Sequence, residues 1–270
     1  MHHQPHNTFG NKIINAVVYK DLMWLPHFHR SFELMVAIKG GALVTVDEKE
    51  YTLKEREMAI VFPYQSHSFT VRGDENALYV LVFSGDLMPA FTELAATKTP
   101  TRAKFTVEDF EWDFLCEALF KNAPGKYLLS AALSVVCGAL VRQAEFCDRK
   151  ESLDVVTKVI SYVENNYREP ITLKNAADNL GYNYQYLSRL FGSVMKMNFR
   201  DLVNQCRADE AEKLIASGRS VTEAAIESGF GSTRNFSRIV KKREKGAKAL
   251  GSAPVETVKL GDADGYKRIF

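Results

Sequence analysis

Residues 171–194, ITLKNAADNLGYNYQYLSRLFGSV, and residues 220–242, SVTEAAIESGFGSTRNFSRIVKK, decide the fold of the carboxyl-terminal half. Each stretch has a short amphipathic run, a turn that contains glycine, and a second amphipathic run. Asn183 and Ser232 stand where a side chain would cap the second helix. The order helix, glycine turn, helix is that of a helix-turn-helix. The pattern predicts two such units in tandem, joined by a longer helix from Phe199 to Ser217.

The second helix of each predicted unit places a Ser-Arg pair between bulky apolar residues. The apolar residues expected to hold these helices on their partners are Leu187, Leu190, Phe191, Phe236, Ile239 and Val240. Gln185, Ser188, Arg189, Arg234, Ser237 and Arg238 would then face outward. Small polar and arginine side chains on such a face can meet base edges and phosphates in a major groove. The alternative is an α-helical repeat whose polar faces are merely solvated.

Charge is distributed unevenly along the chain. Residues 1–150 carry 16 Lys+Arg and 18 Asp+Glu, whereas residues 151–270 carry 19 and 15, so the net charges are −2 and +4. From Arg234 to Lys248, seven basic residues are opposed only by Glu244. A helix with this cluster would suit phosphates, although a solvated helix end has the same composition.

The amino-terminal half has the pattern of a small β-structure followed by helices. Short runs rich in Val, Ile, Phe and Tyr occur at residues 13–19, 32–38, 42–46, 58–62, 67–71 and 77–83. Turn-forming and charged stretches separate them, which predicts a barrel or sandwich. After about residue 106 two helical stripes follow, one at Phe110, Phe114, Leu115 and Leu119 and one at Leu129, Leu133, Val136 and Leu140. The predicted fold class is therefore α+β, with at least two domains.

Several classes of protein are disfavoured by composition. No apolar run approaches the roughly 18–20 residues of a membrane span. Residues 1–10, MHHQPHNTFG, lack the apolar region of an export signal. The cysteines, Cys116, Cys137, Cys147 and Cys206, have no Cys-x-x-Cys spacing, which is typical of reduced thiols. We therefore expect a cytoplasmic protein that is not a membrane protein.

The two quoted stretches and the linking RADEAEKLI at 207–215 resemble, in order, the DNA-binding domain of the AraC family of bacterial transcription regulators. The resemblance covers about residues 153–243. It implies two recognition helices in successive major-groove segments, about one helical turn (~34 Å) apart. The family's DNA-contacting positions fall on Tyr184, Gln185, Ser188, Arg189, Thr233, Arg234, Ser237 and Arg238. Arg189 and Arg238 are the strongest candidates because a guanidinium can make bidentate hydrogen bonds.

This resemblance has departures. Lys196 stands where the family usually has Gly, and Val240 replaces the usual Phe. Residues 246–270 do not align. Arg207 and Ala211 match the family's linking helix and are interpreted as structural.

The amino-terminal half resembles the family's cupin-like sensor barrel. His27-x-His29-x-x-x-Glu33, and later Pro63 to His67, are similar to the two cupin motifs. The resemblance implies an effector site at Trp24, His27, His29, Arg30, Glu33 and His67. The preferred hypothesis is a pocket without metal or other cofactor, since regulators of this type keep the polar groups for an effector or for strand stability. The alternative is a first-row metal held by His27, His29, Glu33 and His67.

These patterns divide the chain into five parts. Residues 1–105 would sense an effector, 106–147 would form a helical dimerisation segment, 148–152 a linker, 153–245 the DNA-binding domain and 246–270 an unaligned tail. Alternatively, the two helical stripes at 110–119 and 129–140 would belong to the core of their own domain. We expect a ligand-responsive transcription regulator and not an enzyme. The resemblance implies that it acts as an activator. Its expected partners are operator half-sites in double-stranded DNA, a small-molecule effector such as a sugar, RNA polymerase and a second copy of itself.

Two other functions compete with this one. One is a metal-dependent cupin enzyme with an appended helical domain. The other is a DNA-binding protein without an effector, in which the barrel serves only to dimerise.

Overall fold

The computed structural model describes residues 2–3, 15–121, 125–149, 151–195 and 197–248. The chain forms two units, one containing Asn7–Arg149 and the other Lys150–Gly251. The departure at Lys196 and the tail from residue 249 onward lie outside the described residues.

The described strands are β1 His2–His3, β2 Asn15–Tyr19, β3 Leu22–Phe28, β4 Phe32–Lys39, β5 Gly41–Val46, β6 Lys49–Lys54, β7 Met58–Val61, β8 His67–Val71, β9 Ala77–Phe83, β10 Lys98–Pro100, β11 Lys104–Phe105 and β12 Phe146–Asp148. One antiparallel sheet contains β3, β8, β5 and β6 in this order, and a second has the order β11-β7-β4-β9-β2. Strands β10 and β12 form a separate pair. The prediction of a β-rich amino-terminal domain is confirmed.

All six predicted strands are present, and the described residues add β1, β3, β6, β10, β11 and β12. Strand β3 was not predicted because Pro26 interrupts its sequence, and sheets accommodate proline only in edge strands or at bulges. The pairing of β3 with β8 shifts register between Trp24 and His27, next to that proline. The charged stretch at residues 47–50 is only partly a turn. Asp47 and Glu48 adopt φ values of 46° and 70°, and β6 begins at Lys49.

Strand β4 is buried along both faces, which explains its almost unbroken apolar sequence. Met35 and Ala37 pack in the core that the two sheets share. Leu34 and Val36 belong to a second core that includes helical residues. Because side chains alternate along a strand, Glu33 lies on the same side of β4 as Met35, facing the other sheet.

The helices of this unit are α1 Pro89–Thr97, α2 Asp109–Leu115 and α3 Lys126–Gln143, and a π-helical stretch, Cys116–Lys121, follows α2. The predicted stripe of Leu129, Leu133, Val136 and Leu140 is fully buried in the core of its own unit. It is therefore not available to a second copy. The other predicted stripe is wrong at Phe110, which is 73% exposed.

The second unit is helical throughout its described part. Its helices are α4 Glu151–Asn166, α5 Leu173–Leu180, α6 Tyr184–Leu190, α7 Phe199–Ala216, α8 Val221–Glu227 and α9 Thr233–Lys248, and α6 continues as a π-helical stretch, Phe191–Met195. These are the predicted helices in the predicted order. Helix α9 continues beyond the expected end near Lys242. Among the described residues, none of the helices could cross a bilayer.

The predicted linker between the units needs a correction. Cys147 and Asp148 pair with Thr99 and Lys98 in the β10–β12 ribbon, and α4 already begins at Glu151. Lys98 also donates to Asp148 at 2.7 Å. Charged residues suggested a linker, but their backbone groups are used in strand pairing.

Candidate functional site

Helix α6 presents the polar side chains that the sequence assigns to DNA. Asn183 caps its first turn, with Oδ1 accepting from the backbone N–H groups of Gln185 at 2.9 Å and Tyr186 at 3.2 Å. Leu187 is fully buried and holds the helix on its unit. The predicted contacts on α6, Tyr184, Gln185, Ser188 and Arg189, are all exposed. The structure therefore leaves this face open.

Helix α9 repeats this arrangement. The hydroxyl of Ser232 accepts from the backbone N–H of Asn235 at 3.3 Å, so the predicted cap is present. Phe236 and Ile239 are buried against the unit's own core. The predicted contacts Arg234, Ser237 and Arg238 are exposed, and Thr233 is half-buried.

Each recognition helix is preceded by a helix with a capping box and a glycine end. Thr172 and Asn175 exchange hydrogen bonds at the start of α5, and Ser220 and Glu223 do so at the start of α8. The turns that follow pass through Gly181 and Gly229, with φ values of 73° and 89°. The same capping boxes and glycine turns therefore give both helix-turn-helix units a similar local backbone conformation.

Helix α7 connects the two helix-turn-helix units and is hydrogen-bonded to the segment that follows α4. Arg207 donates from Nε to the carbonyl of Tyr167 at 2.6 Å and from an Nη to the carbonyl of Glu169 at 2.8 Å. These bonds tie α7 to the chain just after α4, and Ala211 is fully buried. The structural roles expected of Arg207 and Ala211 agree with these contacts.

A second candidate site lies inside the amino-terminal unit. His27 on β3 is paired in register with His67 on β8, His29 follows β3, and Glu33 comes from β4 of the other sheet. All four side chains are buried, with 3% or less exposed. One possible ligand atom from each lies within 4.8 Å of those from the others. The structure thus brings four sequence-predicted residues together.

Backbone carbonyls orient all three imidazoles. His27 Nδ1 donates to the Leu25 carbonyl at 2.9 Å, His29 Nδ1 to the Ser31 carbonyl at 3.1 Å, and His67 Nδ1 to the Gln65 carbonyl at 2.9 Å. Since a carbonyl can only accept, each Nδ1 carries a proton. In the neutral ring, Nε2 is then an acceptor.

The Glu33 carboxylate faces these Nε2 atoms. Its Oε2 lies 2.9 Å from His29 Nε2 and 3.4 Å from His67 Nε2. Burial raises the pKa of Glu33, but the positive potential of His67 and the contact with His29 outweigh it and hold that pKa well below its usual value. The carboxyl group is therefore an anion in the buried interior.

The histidines differ in how burial and charge balance. Burial, with His67 next, lowers the pKa of His27 well below its usual value. Burial also lowers the pKa of His29, although Glu33 opposes this effect. For His67, burial lowers the pKa but the Glu33 carboxylate outweighs it, so the net shift is upward.

The two remaining effector candidates are placed differently. Trp24 stacks on Phe69 with ring centroids 6.2 Å apart and meets His27 edge-on at 6.1 Å, so it adjoins the cluster. Arg30 is exposed in the loop between β3 and β4. The structure therefore does not place Arg30 inside with the other five.

Sequence inspection missed three groups around the cluster. The pKa of Tyr19 is raised to about 12, mainly by burial and then by Glu33. Gln65 is buried, its amide donates to Asp47 at 2.7 Å, and its carbonyl orients His67. The carbonyl of Leu25 orients His27 in the same way. A backbone carbonyl carries no sequence signal, and Gln65 stands out only because it is buried.

Two family models match the chain. The model described as AraC-like ligand binding domain matches residues 21–126, and one described as helix-turn-helix domain matches residues 176–246. These ranges contain the His/Glu cluster and both recognition helices, respectively.

Curated relatives agree with the two family models. A regulator of the helix-turn-helix type from the cgkA 5' region of Pseudoalteromonas carrageenovora is 28% identical over 117 residues, which are 40% of this chain and 70% of that protein. A regulator of the same type from Staphylococcus aureus strain MRSA252 is 27% identical over 89 residues, which are 33% of this chain and only 12% of that protein.

The fold has neighbours among solved structures. ToxT from Vibrio cholerae superposes with a TM-score of 0.59 at 15% identity, over 89% of this chain and 99% of that one. A structure of wild-type ToxT bound to an unsaturated fatty acid has the same TM-score at 16% identity, over 92% and 99% of the two chains. At this identity the likeness concerns the fold.

Proposed function

This chain belongs to the AraC family of transcription regulators, and from that premise we propose that it is a ligand-responsive, sequence-specific DNA-binding regulator whose recognition helices are α6 and α9. The observation that carries the proposal is the repeated placement of a Ser-Arg pair. In both helices the pair is exposed, while the apolar residues beside it are buried. A duplex major groove admits such a helix and offers acceptors to arginine.

The proposed contacts on the DNA divide into two kinds. Arg189 and Arg238 reach guanine edges or phosphates, and Gln185 and Arg234 lie about one turn before them on the same faces. Tyr184, Ser188, Thr233 and Ser237 complete the contact set. The exposed Lys241 on α9 adds charge for the backbone.

The amino-terminal unit is the proposed sensor of a small-molecule effector. Trp24 and the His/Glu cluster supply an aromatic face and polar groups in one place, which is how small-molecule sites fix orientation. An effector can switch the protein only if it binds one arrangement of the chain better than another. A sugar is our first candidate class, and fatty acids, which a ToxT structure holds, are the second.

A second copy of the chain and RNA polymerase are the proposed protein partners. The helical segment 106–147 offers an exposed face on α3, with Tyr127 89% exposed and Val141 50% exposed. Paired copies would set the distance between operator half-sites. Such a regulator acts in the cytoplasm, where the DNA is.

The regulator is favoured over a cupin enzyme because the matched models pair a ligand-binding module with a DNA-binding module. The decisive experiment is selection of bound sequences from a random double-stranded DNA pool by the full chain, with and without sugars and fatty acids. We expect a sequence motif with two half-sites whose enrichment changes with one effector. A folded chain that enriches no sequence under any condition would contradict the proposal.

A further inference from the structure

We infer that Lys158 and Tyr182 form a phosphate-binding pair that contacts the DNA backbone beside the groove entered by α6. Neither residue lies on a recognition helix, since Lys158 is on α4 and Tyr182 is in the turn between α5 and α6. The inference rests on the proposed function, because it takes α6 as a helix that enters the major groove. It adds two DNA contacts, and both go to phosphate rather than to bases.

The two side chains are in direct contact at the surface. The ammonium of Lys158 donates to the Tyr182 hydroxyl at 3.2 Å and lies 5.8 Å from the centre of the same ring. Lys158 is exposed and Tyr182 is half-buried. Contact with the ring and the hydroxyl therefore restrains a long side chain that would otherwise move freely in solvent.

The pair has unused hydrogen-bond donors. A lysine ammonium carries three N–H donors, and one of them is used on the Tyr182 hydroxyl. Within the described residues, the proton of that hydroxyl meets no protein acceptor, and no carboxylate forms an ion pair with Lys158. In the free protein, water accepts from these groups. A phosphate oxygen is a stronger partner for a cation and a hydroxyl that lie side by side.

The second helix-turn-helix unit shows that packing does not require this hydroxyl. Phe230 occupies the matching position, because it also directly follows a glycine with positive φ. It is only 5% exposed and packs edge-on against Phe236, with ring centroids 5.6 Å apart. Tyr182 instead lies near Tyr186, with ring centroids 6.2 Å apart, and its hydroxyl contacts Lys158. The hydroxyl of the first unit therefore has a role other than filling the core.

Helix geometry places the pair beside the groove. Successive residues of a helix turn by about 100° around its axis, so Tyr186 lies between the outward Arg189 and the buried Leu190 on α6. An α-helix and the major groove are both roughly 10–12 Å wide, and the phosphates of the two strands border the groove. Side chains at the edge of the outward face therefore meet phosphates. Tyr182 adjoins Tyr186 at this edge, and Lys158 adjoins Tyr182.

A phosphate bound by this pair would position α6 but would carry no sequence information. The pair therefore adds affinity for any duplex. Specificity stays with the side chains on the outward face of α6.

The experiment measures the DNA affinity of the full chain by fluorescence anisotropy over a range of salt concentrations. It uses a selected operator and a duplex of random sequence. Lys158→Gln should weaken binding to both by about tenfold at ~0.1 M salt and reduce the slope of log affinity against log salt by about one, because fewer counterions are released. The matched control is Lys20→Gln, which removes an exposed lysine of the amino-terminal unit and should leave both quantities unchanged.

A second variant tests the hydroxyl. Tyr182→Phe keeps the ring and introduces the residue found at the matching position of the second unit. It should weaken binding to both duplexes by a smaller factor with an almost unchanged salt slope, because no charge is lost. If both groups bind one phosphate, Lys158→Gln/Tyr182→Phe should bind nearly as Lys158→Gln does, and fully additive losses would contradict a shared phosphate.

Three results decide the inference. Parental affinity and salt slope in folded Lys158→Gln would overturn it, and so would a loss on the operator alone, which indicates a base contact. If circular dichroism shows that Lys158→Gln is unfolded, parental affinity of folded Tyr182→Phe for both duplexes would overturn it in its place. If no operator is selected, the proposed function fails, and the random duplex still tests whether Lys158 contacts phosphate.

Discussion

At the scale of single residues, Arg189 and Arg238, the two arginines that we propose contact DNA, are both exposed but have different neighbours. An Nη of Arg238 donates to the Asn235 side chain at 2.8 Å on the same helix. Within the described part of the chain, no such bond is recorded for Arg189. The Asn235 side chain therefore restrains the Arg238 guanidinium on its own helix.

The first prediction concerns these two side chains. Arg189→Ala and Arg238→Ala should each weaken binding to a selected operator by roughly 1–3 kcal/mol, because a bidentate contact to a base is lost. Measured by fluorescence anisotropy, the loss should be smaller on random DNA if the contact is to a base edge.

The matched control is Arg72→Ala, which removes one exposed positive charge from the amino-terminal unit. It should leave operator affinity almost unchanged. Equal losses in all three variants would show that net charge alone matters, and parental affinity in both helix variants would refute our assignment of the recognition faces.

A second residue-scale feature is the buried carboxylate of Glu111. It accepts from the Glu108 backbone N–H at 2.9 Å and from one Nη of Arg142 at 2.7 and 2.8 Å. Burial raises the pKa of Glu111, but these hydrogen bonds and the Arg142 charge outweigh it, so the pKa is lowered. This carboxylate therefore favours the folded state only while it is ionised.

The second prediction follows from the sign of that shift. A lowered folded-state pKa stabilises the protein above the unfolded value of about 4.3, and this contribution disappears as the pH falls further. Glu111→Gln should cost about 1 kcal/mol near neutral pH, with a smaller difference from the parent at low pH. Urea unfolding of both proteins across this pH range measures it, and a difference that grows on acidification would contradict the mechanism.

At the scale of elements, the glycine turns of the two helix-turn-helix units differ in how much space they leave for a side chain. Gly181 and Gly229 both end a helix with positive φ. A Cβ at Gly181 would meet nothing within 4 Å, whereas a Cβ at Gly229 would lie 2.6 Å from the Arg168 carbonyl oxygen. Of the two turns, only the one at Gly229 lies in close contact with another part of the backbone.

The third prediction is therefore a difference between matched variants. Gly181→Ala should cost about 1–2 kcal/mol, because an alanine must adopt a left-handed conformation. Gly229→Ala should cost a further 1–3 kcal/mol or so, because the Arg168 backbone must move. Thermal unfolding of the carboxyl-terminal transition measures both, and equal costs would argue against the close approach.

Element prediction from sequence succeeded where the pattern was strong. The helices from α5 to α9 were expected in order because caps, glycines and apolar spacing all agree there. Strand β3 was missed because Pro26 opposes its local propensity, and pairing with β8 overrides that opposition. Likewise, Asp148 at the end of β12 was assigned to the linker because it begins a charged stretch.

At the scale of the whole molecule, α3 has two different faces. Its leucine stripe lies in the core, whereas Tyr127, Leu128 and Val141 are 89%, 41% and 50% exposed. Several large exposed apolar side chains on one helix favour an interaction surface. This outer face is our proposed dimer contact, in place of the buried stripe.

The fourth prediction tests this face. The double variant Leu128→Glu/Val141→Glu should convert a dimer to a monomer in sedimentation velocity, because two charges would be buried in the contact. Phe110→Glu is the control, since Phe110 is also an exposed apolar residue but belongs to α2. If Phe110→Glu alone dissociates the dimer, the contact lies on α2 instead.

The sequence by itself determined the regulator family and the two helix-turn-helix units, and it supplied the candidate residues of both sites. Helix caps, glycine turns and apolar spacing depend on residues that are close in sequence, so they can be identified from the sequence alone. Only the tertiary structure decided that the α3 stripe is core, that Arg30 stays outside the cluster, and that the Nε2 atoms of His29 and His67 lie next to the Glu33 carboxylate. These facts depend on contacts between segments distant in sequence and on backbone carbonyls. Neither can be inferred from the identity of a single residue.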